Sequence, residues 1–412
     1  MLKKVLAVVL SALIITAVLP FGVFAAGNGN EASQDYFKEY YYDADNARHS
    51  RFIDADGSEV VFENDLLFCM SNEIIPSAYD SRDYGRVTSV KNQNPLGSCW
   101  AFAFCAAAES SLIAQGFETK DSVDLSESHL LWFRSANYVE GSDIPVQQDK
   151  YERIFNTFDD GGNSFEAIST VARWSGFAKE EDFPYIRSTD TSGMQYDASD
   201  MFVSDYNLVS ATLLDSNNND DIKKSIMDYG AVAAQMYYTN DALRYTEDGG
   251  CNHYQKKQTG VNHGIAIVGW DDNYDKSNFK TTPVDNGAWL VKNSWGPDTN
   301  DEGFFWLSYY DKSICDFMEI VAKPAGDYDN NYQYDGITCT AAISNMQSAY
   351  GANIFTANGY ETVKGCGMFT FSSTSNEITV SLYTGLDNES NPTSGTLRES
   401  QTFVSNREGG KV

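Results

Sequence analysis

Histidine is scarce in this chain: four residues in 412, at positions 49, 129, 253 and 263. With so few imidazoles, and with no Cys-x-x-Cys spacing anywhere, the ligand pattern of a zinc site is missing, and no metal or cofactor is expected. Positive charge is also in short supply. Lys and Arg total 29 against 58 Asp and Glu, a formal charge of −29. A field of that sign repels phosphate backbones, so nucleic acid is excluded as a partner. Long apolar runs are absent beyond the first 26 residues, which leaves no later segment able to span a bilayer as a helix. What the chain does hold is apolar bulk: 42% hydrophobic residues, with 24 Phe and 25 Tyr. That is enough for a sizeable core, and the length calls for two folded units rather than one.

Residues 1–26 read as a secretory signal. Lys3 and Lys4 precede an apolar run from Val5 to Leu19, Pro20 breaks it, and Val23-Phe24-Ala25 offers small cleavage positions. The run is too short for a membrane anchor, so the expected location is secreted or at the cell surface. Seven cysteines in an exported chain cannot all pair with one another, which predicts at least one free thiol. Residues 27–73 are polar, acidic and Tyr-rich without a helical period, and read as a pro-segment or a linker. Within them, residues 54–58 have the acidic start of a calcium loop but neither its glycine spacing nor its closing Glu.

From residue 74 to about 325 the pattern mixes helix and strand. Ser98 to Ala114 is Ala-rich, apolar and long enough for a buried helix, and Asp221 to Tyr229 suggests a shorter amphipathic one. Residues 231–236, 264–270, 288–292 and 304–309 read as strands separated by Gly, Asp and Asn. Helices first and strands later predict an α+β unit. From residue 326 to 412 basic residues thin out, helical periodicity disappears, and Glu377 to Tyr383 alternates cleanly. This tail is expected to be an all-β, sandwich-like module, and its 87 residues are few for a full two-sheet unit.

The stretch Gln93-Asn94-Pro95-Leu96-Gly97-Ser98-Cys99-Trp100-Ala101 places a cysteine where the helix begins. Unpaired N–H groups and the helix dipole at that point favour negative charge, which lowers a thiol pKa and supplies a nucleophile. Cys105, six residues further along, lacks that advantage. A thiolate needs a proton partner, and histidine is the side chain that titrates near neutrality. His49 lies in the acidic segment, His129 in a helix after Ser126, and His253 reads as part of a polar loop. His263 alone opens an apolar strand, where a rigid element can hold the ring; taken by itself, a lone histidine there reads first as a satisfied core histidine.

Taken with Asn293-Ser294-Trp295-Gly296, this constellation resembles the papain family of cysteine peptidases. Other pieces follow in the family's order: Ile75-Pro76 with Tyr79-Asp80-Ser81-Arg82, then Leu125-Ser126-Glu127, Asp160-Gly161-Gly162-Asn163 and Gly303-Phe304-Phe305-Trp306. The resemblance implies a two-lobed fold with a helical lobe and a β-barrel-like lobe. It implies Cys99 as nucleophile, His263 as its ion-pair partner and general acid, and Asn293 as the residue that orients the imidazole. Gln93 and the Cys99 backbone N–H would donate to the oxyanion, each worth about 3 kcal/mol of barrier. Trp295 would shield the His–Asn contact, and Gly161, Gly162 and Asn262 would line the substrate cleft. Polypeptides are the implied substrates.

The sequence also departs from the family pattern. Leu96 stands where a cysteine commonly lies three residues before the nucleophile, so the family's disulfide there is missing. The 164 residues from Cys99 to His263 exceed the usual interval of about 130 to 150, implying insertions near residues 135–151 and 189–219. Asp271-Asp272-Asn273-Tyr274-Asp275 and the β-rich tail are similar to exported bacterial members that carry a lectin-like C-terminal module, which would bring a glycan or cell-surface ligand as a second partner. Two other readings share the residues: an adhesion or carbohydrate-binding protein with a vestigial peptidase fold, and a thiol amidase acting on cell-wall peptides.

Overall fold

The structure, a computed structural model, describes residues 5–13, 36–42, 48–54, 75–134, 159, 161–188, 196, 198–247, 249–326, 329–332, 348–357, 359–370, 376–405 and 409–411. The leader's cleavage positions, the calcium-like residues 55–58, Cys69, Cys339, Asp160 and the insertion at 135–151 lie outside these. Two compact units emerge. One comprises Pro76–Ala342 with Lys364–Phe369 and Gly409–Val412; the other comprises Met1–Ile75, Ile343–Val363 and Thr370–Glu408.

The first unit is mixed α+β, with few helices and a large sheet. Its elements in chain order are β1 (Ala78–Asp80), α1 (Cys99–Ala114), α2 (Glu127–Phe133), α3 (Ser164–Thr170), β2 (Tyr206–Leu213), α4 (Asn219–Tyr229), β3 (Val232–Met236), β4 (Leu243–Tyr245), β5 (Cys251–His253), β6 (His263–Asp271), β7 (Ala288–Lys292), β8 (Phe304–Ser308) and β9 (Cys315–Pro324). The sheet runs β2-β9-β3-β6-β7-β8-β5-β4, with β1 added beside β6 and the short strand Gly409–Lys411 paired to the outer side of β2. The strand read as 264–270 thus begins at His263 itself and lies at the centre of the sheet.

The sequence accounts for these placements. Helix α1 is buried from Trp100 to Leu112, on every face, as its Ala-rich composition requires of a helix inside a core. Small residues also let it approach the sheet closely. Residues His263 to Trp270 of β6 are buried because helices cover one face of the sheet and neighbouring strands flank both edges. Helix α2 starts at Ser126, whose Oγ accepts the His129 N–H at 3.0 Å; α3 starts at Asn163, whose Oδ1 accepts from Phe165 and Glu166.

The second unit, taken by itself, contains a four-stranded antiparallel sheet. Its strand order is Ser348–Thr356, Val5–Leu13, Asn376–Thr384, Thr396–Ser405. The alternation at 377–383 is therefore a strand, as its pattern predicts. Polar side chains pair across one exposed face, Thr379 with Thr402 and Ser381 with Ser400, both at 2.8 Å. Val5–Leu13, the apolar core of the segment read as a leader, occupies an inner position in this sheet.

Helix α1 and strand β6 meet at Gly264. A Cβ there would lie 2.8 Å from Trp100 Cα, 2.9 Å from Trp100 N and 3.1 Å from the Cys99 carbonyl carbon. All three are backbone atoms that cannot swing aside. Gly264→Ala is expected to cost about 1–3 kcal/mol, read as a lower urea midpoint with an unchanged denaturant slope. An unchanged midpoint would mean that strand and helix stand farther apart.

Candidate active site

The Gly264 contact brings the start of β6 to the start of α1. His263 therefore stands beside the helix end that carries Cys99. The Cys99 thiol is partly buried, and desolvation pushes its pKa up, while the N–H groups of Gly264, Trp100 and Cys99 pull it down. Cys105 is fully buried and its thiol is raised well above the ordinary value, mainly by burial, so it carries no reactive thiolate.

His263 is fixed on three sides. Its Nε2 lies 2.8 Å from Asn293 Oδ1, the indole of Trp295 stacks on the ring at 4.7 Å and 28°, and the phenol of Tyr238 meets it edge-on at 5.7 Å. Asn293 Oδ1 also accepts the Ser294 N–H at 2.9 Å. Two donors converging on one oxygen settle the amide's orientation and require Nε2 to carry a proton. The remaining ring nitrogen, Nδ1, is left as a base. Burial lowers the His263 pKa to about 4, against the raising effect of the Asn293 bond. Thiol and imidazole, each taken alone, are thus driven toward their neutral forms.

Gln93 is held from both ends. Its Oε1 accepts from Ser294 Oγ at 2.6 Å and its Nε2 donates to Leu96 O at 2.9 Å. Its backbone N–H donates to Ser294 O at 2.7 Å. Leu96 takes one of the two amide protons and leaves the other for a ligand. Tyr185 adds a strut, its hydroxyl donating to Gln93 O at 2.6 Å and lying 2.7 Å from Ser98 Oγ.

The three residues read as cleft lining differ in what holds them. Gly161 has φ +72°, a conformation that favours glycine, and open space where a side chain would begin. Gly162 is a glycine for another reason: a Cβ would sit 2.4 Å from the Trp100 ring. Asn262 spends both ends of its amide on Tyr238, accepting from its N–H at 2.7 Å and donating to its carbonyl at 3.1 Å.

Tyr238 carries no motif, and sequence reasoning missed it. It packs edge-on against Trp295 at 4.6 Å and stacks on His253 at 5.3 Å. His253 itself corrects an expectation. It lies not in a polar loop but in β5, fully buried, with Nδ1 3.1 Å from Asp311 Oδ2 and Nε2 accepting from Thr239 N–H. A polar Asn252-His253 pair survives inside because every end finds a partner; Tyr274 donates to Asn252 Oδ1 at 2.6 Å.

Behind the site lies a buried charge cluster that no motif announced. Glu109, inside α1, faces Lys91 at 2.9 Å and accepts from Thr88 at 2.5 Å and from the Leu125 N–H at 2.9 Å. Lys91 also reaches Asp124 at 2.6 Å and Glu127 at 3.0 Å. Lys292, next to Asn293, donates to Thr88 Oγ1 at 2.8 Å. Desolvation raises Glu127 to about 8 and lowers Lys292 to about 8, whereas Lys91 and the Leu125 N–H keep the Glu109 carboxyl below its usual value despite burial.

A helix-start thiol thus stands beside an imidazole that is bonded to an amide and covered by an indole. The family described as papain family cysteine protease matches residues 75–325, more than half of the chain, and the chain belongs to it. A lectin-like domain family matches residues 331–409. The probable cysteine protease RD19B of Arabidopsis thaliana is 29% identical over 254 residues, 61% of this chain and 63% of that protein. Vignain of Vigna mungo is 29% identical over 263 residues, 62% of each. The chain thus spans less than two thirds of the length of these curated relatives. Among solved structures, the clostridial cysteine protease Cwp84 after propeptide cleavage superposes with a TM-score of 0.62, at 26% identity, over 82% of this chain and 79% of that one. A second structure, of the cysteine protease and lectin-like domains of Cwp84, a surface layer associated protein of Clostridium difficile, gives 0.60 at 26% identity, over 82% of this chain and 70% of that one.

The buried histidines give the fold an acid limit. Burial lowers both His129 and His263 from 6.5 to about 4. Between those values the unfolded chain binds protons that the folded chain refuses, so stability falls as pH drops through that window. His129→Gln, which leaves Cys99, His263 and Asn293 in place, is expected to make this slope shallower when urea midpoints are compared across the window. An equal slope would show that His129 is open to water.

Proposed function

We infer that this chain is an exported cysteine endopeptidase that hydrolyses peptide bonds through a Cys99 thioester. The observation that carries the reading is the His263 Nε2 to Asn293 Oδ1 bond of 2.8 Å, on a ring whose strand touches the Cys99 helix end.

In this reading the Cys99 thiol gives its proton to His263 Nδ1 and the sulfur adds to the substrate carbonyl carbon. The charge that develops on the carbonyl oxygen is met by the Cys99 backbone N–H and the second amide proton of Gln93. As the carbonyl re-forms, the C–N bond breaks and the leaving amine takes the proton from His263. A water molecule then gives a proton to the same nitrogen as it attacks the thioester. The C–S bond breaks, and the proton returns to sulfur. Burial disfavours charge on both groups, so the ion pair depends on their mutual attraction and on the N–H groups around the sulfur. Trp295 and Tyr238 keep water from competing for the His263–Asn293 bond.

Cys99→Ala is expected to abolish hydrolysis of an unfolded protein substrate, a loss of more than about 10⁴-fold, together with labelling by a thiol-directed epoxide. Retained cleavage would sink the assignment. Gln93→Ala is expected to lower kcat by about 10²–10³-fold while alkylation of Cys99 by iodoacetamide continues. Loss of both would point to a collapsed site instead.

Export rests on the leader-like features of residues 1–26, and a surface location is supported by the description of Cwp84 as surface layer associated. Among the described residues no helix is long and apolar enough to cross a membrane. Cleavage of a leader would remove Val5–Leu13, the strand paired with both Ser348–Thr356 and Asn376–Thr384. The mature sheet would then differ from that of the uncleaved chain. A mass-spectrometric N-terminus of secreted protein at about residue 27 is the expected result, and an intact residue 1 would contradict it. The lectin-like match supports a glycan or cell-surface ligand for the second unit, which the Cys99→Ala protein applied to a glycan array would reveal.

A further inference from the structure

The family's disulfide before the nucleophile is missing, yet the cleft wall at Gly161-Gly162 is tied down from two directions. From one side, the Gly97 N–H donates to Asp159 Oδ1 at 2.5 Å. A Cβ on Gly97 would lie 3.2 Å from both Asp159 O and Oδ1, so the loop presses on the backbone two residues before Cys99. From the other side comes Arg134, which ends α2 with a side chain only 2% exposed. Its guanidinium donates to the Gly161 carbonyl, stands 3.5 Å from Glu166 Oε2 and lies 5.3 Å over the Trp100 ring. Glu166 is steadied in turn by Asn163 Nδ2 at 3.2 Å. The same Trp100 ring lies against Gly162, where a side chain would begin 2.4 to 2.8 Å from its atoms.

A buried guanidinium needs acceptors, and here they include a glycine carbonyl on the cleft loop and the Glu166 carboxylate in the first turn of α3. With the Gly161 oxygen drawn to Arg134, the planar trans peptide turns the Gly162 N–H the opposite way. One side chain therefore sets the plane of the peptide unit that forms the wall. We propose that Arg134 is a positioning residue that fixes the Gly161-Gly162 backbone for pairing with an extended peptide substrate, replacing with a buried cation the covalent tie that the sequence lacks. This rests on the peptidase reading above. Arg134 acts on the binding of the peptide backbone and leaves the thiol chemistry to Cys99 and His263.

The test compares two reagents on the full chain. A peptidyl epoxide must pair with the wall before it reaches Cys99, whereas iodoacetamide needs only the thiolate. For Arg134→Met the second-order rate with the peptidyl epoxide is expected to fall about tenfold or more, the scale of one charged hydrogen bond, with KM for a peptide substrate rising in parallel. The iodoacetamide rate should stay within about twofold of wild type. Arg134→Lys keeps the charge but has a single ammonium in place of the planar fork, and should recover part of the loss. Equal loss with both reagents, or no loss with either, would overturn the proposal. If Arg134→Met fails to fold, the Lys variant decides: a peptidyl rate equal to wild type overturns the proposal, and a selective fall supports it. A wild-type chain that cleaves no peptide and takes no label at Cys99 would instead overturn the peptidase reading beneath it.

Discussion

The site depends on one close approach, that of Gly264 to the first turn of α1. A helix and a strand that meet backbone to backbone leave no slack between them, so the residue before Gly264 and the residue at the helix start are held at a fixed separation. The rest of the papain-family unit reinforces that contact. Strands β3 and β7 flank β6 on either side, and a bulge between Leu290 and Val291 adjusts the β7 register just before Asn293. Asn293, Trp295 and Tyr238 then stop the ring from turning. An imidazole on a loop would keep its rotamer freedom in the folded chain; here that freedom is given up in folding.

The buried charges behind the site serve geometry more than stability. Taking Glu109 and Lys91 out of water is costly, and a well-packed apolar pair would stabilise the core as well or better. What the ions supply is direction. Lys91 reaches Glu109 in α1, Glu127 at the start of α2 and Asp124 before it, so three segments converge on one ammonium. Gln93 lies two residues beyond Lys91, and its amide is gripped by Ser294 and Leu96. A shift of the Lys91 segment would therefore displace Gln93 as well. Thr88 links the cluster to Lys292 and so to the residue that precedes Asn293.

Much of this unit was legible in the sequence because its key elements are apolar and regular. The Ala-rich run gave α1 to within a residue, the strand at 288–292 was read with its observed ends, and β6 was found one residue short of its start. Cys99, His263, Asn293 and Gln93 stand out in the sequence because they sit in local motifs. The residues that were missed share a physical trait: they are polar side chains that become interior only through partners distant in the chain. His253 meets Asp311 58 residues away, Arg134 meets Gly161 27 residues away, and Glu109 looks like a surface charge on an otherwise apolar helix until Lys91 is placed beside it. A polar residue reads as exposed until its partner is known, and periodicity carries no information about partners.

Trp100 shows how the two halves of the site are coupled. It follows Cys99 in the chain, its backbone lies against the Gly264 position, and its ring lies against Gly162 on one contact and Arg134 on another. Its indole nitrogen is buried without a hydrogen-bond partner among the described residues, so the ring is kept there by packing and by the cation. The position of the thiol and that of the glycine wall are thus referred to the same side chain. Cys99 and the Gly161-Gly162 backbone cannot drift independently, which on the proposed peptidase reading is the condition an attack distance of about 3–3.5 Å imposes on two segments more than 60 residues apart in the sequence. In a chain without the disulfide before Cys99, a shared aromatic ring and a buried guanidinium meet that condition by non-covalent means.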